Sequence, residues 1–176
     1  MAFVSLILGG ARSGKSSRAL ALANQPRRIF IATAEALDDE MAERIGKHKT
    51  ERGPGWCVVE EPLELAAAIR NNAAQDTVLV IDCLTLWLSN LMHHQCNVEV
   101  ATRSLTGVLA GVEGRVVLVS NELGLGLAPD NALGRAFRDE QGRLNQAIAV
   151  VADHVEFVAA GLPIVLKGAP PGGTAR

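Results

Sequence analysis

Residues 3–16 read FVSLILGGARSGKS: an apolar run feeding directly into a glycine-bearing stretch that ends in Lys-Ser. Gly9-Gly10-Ala11-Arg12-Ser13-Gly14-Lys15-Ser16 matches G-x-x-x-x-G-K-[ST], and the Ala- and Leu-rich stretch 16–23 that follows suits a helix. This order of strand, tight loop and helix admits few folds. The glycines let successive backbone N–H groups curl around an anion, and the helix start adds the positive end of its dipole. Lys15 would reach the β and γ phosphates of a nucleoside triphosphate, and the Ser16 hydroxyl would coordinate Mg²⁺. Arg12 either touches phosphate or is a solvated spacer.

Further apolar runs rich in Val, Ile and Leu recur at 29–32, 78–81, 116–119, 155–158 and 163–166. Like 3–8, each is continuous rather than alternating, as expected of strands buried on both faces of a parallel sheet. Helix-like segments lie between them at 38–49, 62–71, 84–93, 98–112 and 131–151, the second of these opening on Pro62 at a first helical position. Alternation of this kind predicts an α/β fold with a mainly parallel central sheet flanked by helices. With 48% hydrophobic but only 3% aromatic residues and no Tyr, the core must be aliphatic. A single domain over 1–168 is expected, and the Gly/Pro-rich 169–176 is read as a flexible tail.

The formal net charge of −2 argues against a nucleic-acid partner, which normally demands a basic surplus. Cys57, Cys83 and Cys96 form no paired framework, and Cys57 and Cys83, in apolar surroundings, read as buried small hydrophobes. No apolar run approaches the roughly 20 residues that span a bilayer. The first run ends in glycines rather than a cleavage site, so the cytoplasm is expected.

Asp82 ends the apolar run 78–82, where its carboxylate would sit beside the metal, cap the next helix, or do both. No N-K-x-D guanine-reading motif occurs, which weakens a regulatory-switch reading. His48 lies in RIGKHKTER at 44–52. Cationic neighbours disfavour imidazolium, leaving a neutral imidazole that could attack phosphorus; the alternative is a solvated residue on a charged helix face. His93, His94 and Cys96 read as a solvated helix end, and His154 as structural. The polar, Gly-bearing 120–129 follows a strand, the position where α/β proteins bind ligands. The Arg-, Asp-, Asn- and Gln-rich 135–146 is either part of that site or a salt-bridged surface helix.

GGARSGKS at 9–16, IATAEALDDEM at 31–41, RI-x-x-HK at 44–49, EEP at 60–62 and VIDCLTLWLSNL at 80–91 form an ordered series. SNELGLGLAP at 120–129, FRDEQGRLNQ at 137–146 and AAGLP at 159–163 continue it. In this series the chain resembles the bifunctional adenosylcobinamide kinase/adenosylcobinamide-phosphate guanylyltransferases of cobalamin synthesis. The resemblance implies a RecA-like P-loop NTPase fold, a homotrimer and two reactions. ATP or GTP phosphorylates adenosylcobinamide; GTP then guanylylates a His, and GMP passes to adenosylcobinamide phosphate. It implies that His48 is the guanylylated residue. It also implies nucleotide contacts from Gly9, Gly10, Ala11, Arg12, Ser13, Gly14, Lys15, Ser16, Thr33, Ala34, Glu35, Lys49, Thr50, Glu51, Arg52, Glu60 and Asp82. Asn121, Glu122, Arg138 and Asp139 are candidates for the corrinoid. Beside this stand a kinase without guanylyl transfer and a non-catalytic nucleotide-binding regulator.

Overall fold

Apolar residues alternate across each central strand with further apolar residues, so both faces of the sheet need cover. The computed structural model of the chain, which describes residues 1–35 and 55–172, shows how they get it. The strands are β1 (Phe3–Gly9), β2 (Arg27–Ala32), β3 (Cys57–Glu60), β4 (Thr77–Asp82), β5 (Arg115–Asn121), β6 (His154–Ala159) and β7 (Leu162–Lys167). The described helices are α1 (Lys15–Ala21), α2 (Leu65–Asn72), α3 (Leu84–His93), α4 (Val98–Leu109) and α5 (Ala132–Val151). One sheet runs β3-β2-β4-β5-β1-β6-β7, parallel except for β7, which pairs antiparallel with β6.

One face carries Leu6, Leu8, Ile29, Ile31, Leu79, Ile81 and Leu118 against Leu65, Trp87, Leu88, Leu105, Leu144 and Ile148 of α2–α5. The other carries Ile7, Phe30, Val80, Val117 and Val158 against Ala19 and Leu22 at α1. Burial of each such Leu, Ile or Val side chain contributes about 1.5–3 kcal/mol. Trp87, 1% exposed, also donates its Nε1–H to the Leu63 carbonyl at 2.8 Å, so this buried indole is satisfied at its polar end.

The α/β reading and the P-loop NTPase fold hold, with four corrections. Residues 57–60 form a seventh strand; its mostly exposed pattern at the sheet edge left no apolar run to find. Cys57 is accordingly exposed, whereas Cys83 is buried. The run 163–166 belongs to β7, an antiparallel strand whose six residues are all exposed, so its apolar character does not reflect burial in the chain. Helix α2 begins at Leu65 rather than Pro62, because the Glu61 carboxylate accepts from the backbone N–H groups of Leu63 and Glu64 at 3.0 and 2.8 Å and holds that stretch as a turn. The segment 38–49 and residues 173–176 lie outside the described residues. Among the described residues no helix is long and apolar enough to cross a membrane.

Candidate active site

Strands placed in register bring their C-terminal ends to one edge, and the candidate residues gather there. Gly9 pairs with Asn121, Asp82 with Val119, and Ala32 with both Asp82 and Glu60. A ligand site at this edge is the general solution for open parallel sheets. β5 separates the strand that carries the phosphate loop from the strand that ends in Asp82.

The loop between β1 and α1 is wound by residues in left-handed conformations: Arg12 at φ +55° and Gly14 at φ +99°. Alternation of this kind turns successive N–H groups toward one point, an anion-binding concavity. Gly9 is required by close approach, since a Cβ there would lie 2.5 Å from the Val158 carbonyl oxygen and 2.6 Å from Ser13 Oγ. Lys15 is buried, and its Nζ donates to the Gly10 carbonyl at 2.8 Å, so the ammonium lies folded over the loop. Arg12 is exposed at the loop crest.

Two neighbours grip this loop. The Glu122 N–H donates to the Gly9 carbonyl at 3.1 Å, and the Gly161 N–H donates to the Ser13 carbonyl at 2.8 Å. Gly161 belongs to the two-residue turn Ala160-Gly161 between β6 and β7, with both φ values positive, +51° and +78°, as a primed hairpin turn demands. Sequence reasoning quoted AAGLP only as part of a resemblance and missed that this turn supports the phosphate loop.

Helix α1 is fastened from below. Arg18 Nε and Nη2 donate to the two oxygens of Glu156 at 2.7 and 2.6 Å, and His154 Nε2 lies 2.9 Å from Glu156 Oε1. Burial works to raise the Glu156 pKa, but the hydrogen bonds from Arg18 and the nearby His154 outweigh it and hold the carboxyl below its ordinary range. The same pairing raises the Arg18 pKa against the opposing effect of burial. His154 is buried, as a structural residue should be, with Nδ1 3.3 Å from the Gly168 carbonyl.

Next to Asp82, burial and then the Asp82 charge push the Cys83 thiol up to about 11. Thr33 is buried; its Oγ1 donates to the Cys83 carbonyl at 2.8 Å and accepts from the Cys83 N–H at 2.9 Å. Glu35 pairs with His94, both carboxylate oxygens lying 3.2 Å from Nε2, so the end of α3 is tied rather than merely solvated. Among the described residues, no three His, Cys, Asp or Glu side chains gather as a metal set. Ser16 and Asp82 nevertheless suit a hard Mg²⁺ that keeps substrate phosphates and water as its other ligands: both offer oxygen, and neither side chain has a hydrogen-bond partner among the described residues.

The corrinoid candidates divide. Asn121 and Glu122 stand at the end of β5 beside Gly9. Arg138 and Asp139 line, with Gly124, Gly142, Arg143 and Gln146, an open depression of about 420 Å³. Beneath Asn121, Ser120 Oγ donates to Asn145 Oδ1 at 2.7 Å, Gln141 Nε2 donates to both, and Asn145 Nδ2 donates to the Asn121 carbonyl at 3.1 Å. Part of the 137–146 motif is therefore interior scaffolding, not a surface helix face. His48, Lys49, Thr50, Glu51 and Arg52 lie outside the described residues.

Comparison with known proteins agrees with this geometry. The family model CobU, described as cobinamide kinase / cobinamide phosphate guanyltransferase, matches residues 5–166. The chain is 47% identical over 169 residues to the bifunctional adenosylcobalamin biosynthesis protein CobP of Pseudomonas aeruginosa, covering 94% of this chain and 98% of that protein. It is 37% identical over 178 residues to the CobU protein of Salmonella typhimurium, covering 92% and 98%. Among solved structures, the flagellar accessory protein FlaH of Methanocaldococcus jannaschii superposes with a TM-score of 0.55 at 14% identity, covering 99% of this chain and 82% of that one. The P4 protein of bacteriophage phi13 superposes at 0.50 with 15% identity, covering 93% and 53%.

Proposed function

The chain belongs to the cobinamide kinase / cobinamide phosphate guanyltransferase family, and from that premise we propose that one phosphate loop serves both of its reactions, with His48 as the covalent carrier of GMP. The chain is a bifunctional adenosylcobinamide kinase and adenosylcobinamide-phosphate guanylyltransferase of cobalamin biosynthesis. The observation that carries the reading is the convergence of Lys15, Asp82, Thr33 and Asn121 on one sheet edge around a single anion-binding loop.

In the first reaction the acceptor hydroxyl of adenosylcobinamide attacks the γ phosphorus of ATP or GTP. The bridging P–O bond breaks, the nucleoside diphosphate leaves with the electron pair, and the hydroxyl proton is released. In the second, an imidazole nitrogen of His48 attacks the α phosphorus of GTP and pyrophosphate leaves. A phosphate oxygen of adenosylcobinamide phosphate then attacks the same phosphorus, the N–P bond breaks, and adenosylcobinamide-GDP departs. Both are displacements governed by positioning and charge neutralisation. Lys15 and the loop N–H groups supply that neutralisation; Gly9, Gly10, Ala11, Arg12, Ser13 and Gly14 shape the loop. Ser16 and Asp82 would hold Mg²⁺, which when bound neutralises phosphate oxygens.

Thr33, Ala34, Glu35 and Glu60 stand at the same edge and would contact the nucleotide, joined by Lys49, Thr50, Glu51 and Arg52. Asn121, Glu122, Arg138 and Asp139 would face the corrinoid. A single catalytic domain over 1–168 acts in the cytoplasm as a homotrimer; the exposed Leu162, Ile164, Val165 and Leu166 of β7 support such an assembly, since apolar edges of this kind are normally covered.

Incubation with α-labelled GTP tests the carrier. Wild type should retain acid-labile, base-stable label, and His48→Ala should retain none. Wild type that phosphorylates the corrinoid yet takes no label would leave a kinase without guanylyl transfer.

A further inference from the structure

The loop that leaves β5 carries two leucines that the fold does not cover. Leu125 is 81% exposed and Leu127 is 97% exposed. A lone exposed leucine is ordinary, whereas neighbouring ones at a ligand-binding edge mark a contact surface. The loop starts at the phosphate site, where the Glu122 N–H donates to the Gly9 carbonyl at 3.1 Å. A chain advances at most about 3.6 Å per residue, so Leu125 lies within about 11 Å of Glu122 and Leu127 within about 18 Å.

The loop is held by its own polar groups. Glu122 Oε1 accepts from the Gly124 N–H at 2.6 Å. Arg135 Nη1 reaches back from α5 to the Pro129 and Asp130 carbonyls, both at 3.0 Å. Gly134, in the first turn of α5, lies so close that a Cβ there would come within 2.8 Å of the Pro129 ring. Both ends of 122–130 are thus fixed, and the leucines stand exposed on a frame already in place. Little ordering entropy is then lost when a ligand settles on them.

The substrate of the family has the chemistry to cover them. Adenosylcobinamide is a broad macrocycle with a methyl-bearing apolar rim, polar amide arms and its acceptor hydroxyl at the end of one arm. When that hydroxyl meets the γ phosphate, the macrocycle rests within an arm's length of the phosphate loop. Aromatic stacking is not on offer there: the chain has four Phe, two Trp and no Tyr, and none of them is exposed. Aliphatic contact is what remains. Gly124, next to Leu125, also lines the open depression that holds Arg138 and Asp139, so polar groups suited to amide arms flank the leucines.

We propose that Leu125 and Leu127 form the apolar rest on which the corrinoid macrocycle lies, and so set the enzyme's affinity for it. This rests on the reading that the edge beside Asn121 and Glu122 faces the corrinoid. In this role the leucines contact neither nucleotide nor reacting atoms. They act on corrinoid affinity alone, and by the same factor in both reactions, because both acceptors carry the same macrocycle.

The test uses the full-length protein with Leu125→Ser and Leu127→Ser combined. KM for adenosylcobinamide, and for its phosphate in the second reaction, should rise by about 10- to 100-fold, the range for two leucines each half covered. kcat at saturating corrinoid, KM for nucleotide and the melting curve should stay as in wild type. Ultrafiltration, with bound corrinoid read from its visible absorbance, should show the same loss of affinity. Should the double variant fail to fold, Leu127→Ser alone must still raise both corrinoid KM values, by at least about threefold. An unchanged corrinoid KM, or a fall in kcat without a rise in KM, overturns the proposal. So does a change of oligomeric state on sedimentation, which would assign the leucines to a second copy of the chain. Arg138→Ala, assayed alongside, separates the two levels: a raised corrinoid KM there with none in the leucine variant sinks the apolar rest alone, and no rise in either removes the corrinoid-facing edge as well.

Discussion

Glu156→Gln should loosen the helix that carries the phosphate loop, and the size of the effect follows from its contacts. The Glu156 side chain is 1% exposed, and its two oxygens take two hydrogen bonds from Arg18 at 2.7 and 2.6 Å. Hydrogen bonds to charged groups contribute about 1.5–3 kcal/mol each. The amide retains one acceptor oxygen, and the Arg18 side chain, 28% exposed, can recover part of its hydration. The net loss should therefore be about 2–3 kcal/mol at neutral pH. For a chain of this length that corresponds to a fall of roughly 5–10 °C in Tm.

The pH dependence gives the sharper readout. Because the folded-state pKa of Glu156 is lowered, the unfolded chain binds its proton more tightly, so its contribution is fully present above the ordinary value of 4.5. It is lost as pH falls through the lower folded value. Urea unfolding of wild type and Glu156→Gln should thus show a constant gap from about pH 7 to about pH 5, narrowing below that. Nucleotide affinity should fall with stability, since Arg18 and Lys15 share α1. A gap under about 0.5 kcal/mol at neutral pH, or one that persists undiminished into acid, would refute the reasoning.

Gly9→Ala should cost about 1–3 kcal/mol by overpacking and abolish tight nucleotide binding, because the Val158 carbonyl 2.5 Å from the new methyl belongs to β6 and cannot step aside. The same change at Gly10, whose methyl meets nothing within 4 Å, should leave thermal stability unchanged; a melting curve separates the two. A thiol reagent applied to the native protein at mildly alkaline pH should modify Cys57 and Cys96, which are exposed, and spare Cys83, buried with its thiol pushed up to about 11. Mass spectrometry before and after unfolding counts the adducts.

Much of this arrangement was legible because it is local. The run 3–8, the loop 9–16 and Asp82 declare themselves through short spacings, and 84–93 matches α3 residue for residue. What was hidden depends on distant partners. Glu156 interrupts an apolar strand and looks like a solvated charge; only the fold brings it to Arg18, 138 residues away. Asn90 reads as one polar residue in a helix until Thr33 and Pro62 arrive above it. β3 lacked a signal because an exposed edge strand needs no apolar face, and β7 misled because its apolar residues are exposed in the chain itself.

The claim that one loop serves two chemistries stands or falls on Lys15→Ala assayed for both in the same preparation. Lys15 Nζ donates to the Gly10 carbonyl at 2.8 Å, a contact at the phosphate loop rather than within the apolar core, so the change should leave the melting curve close to wild type. Phosphorylation of adenosylcobinamide and uptake of α-labelled GTP should then disappear together. Full retention of either activity in the folded variant would contradict a shared loop.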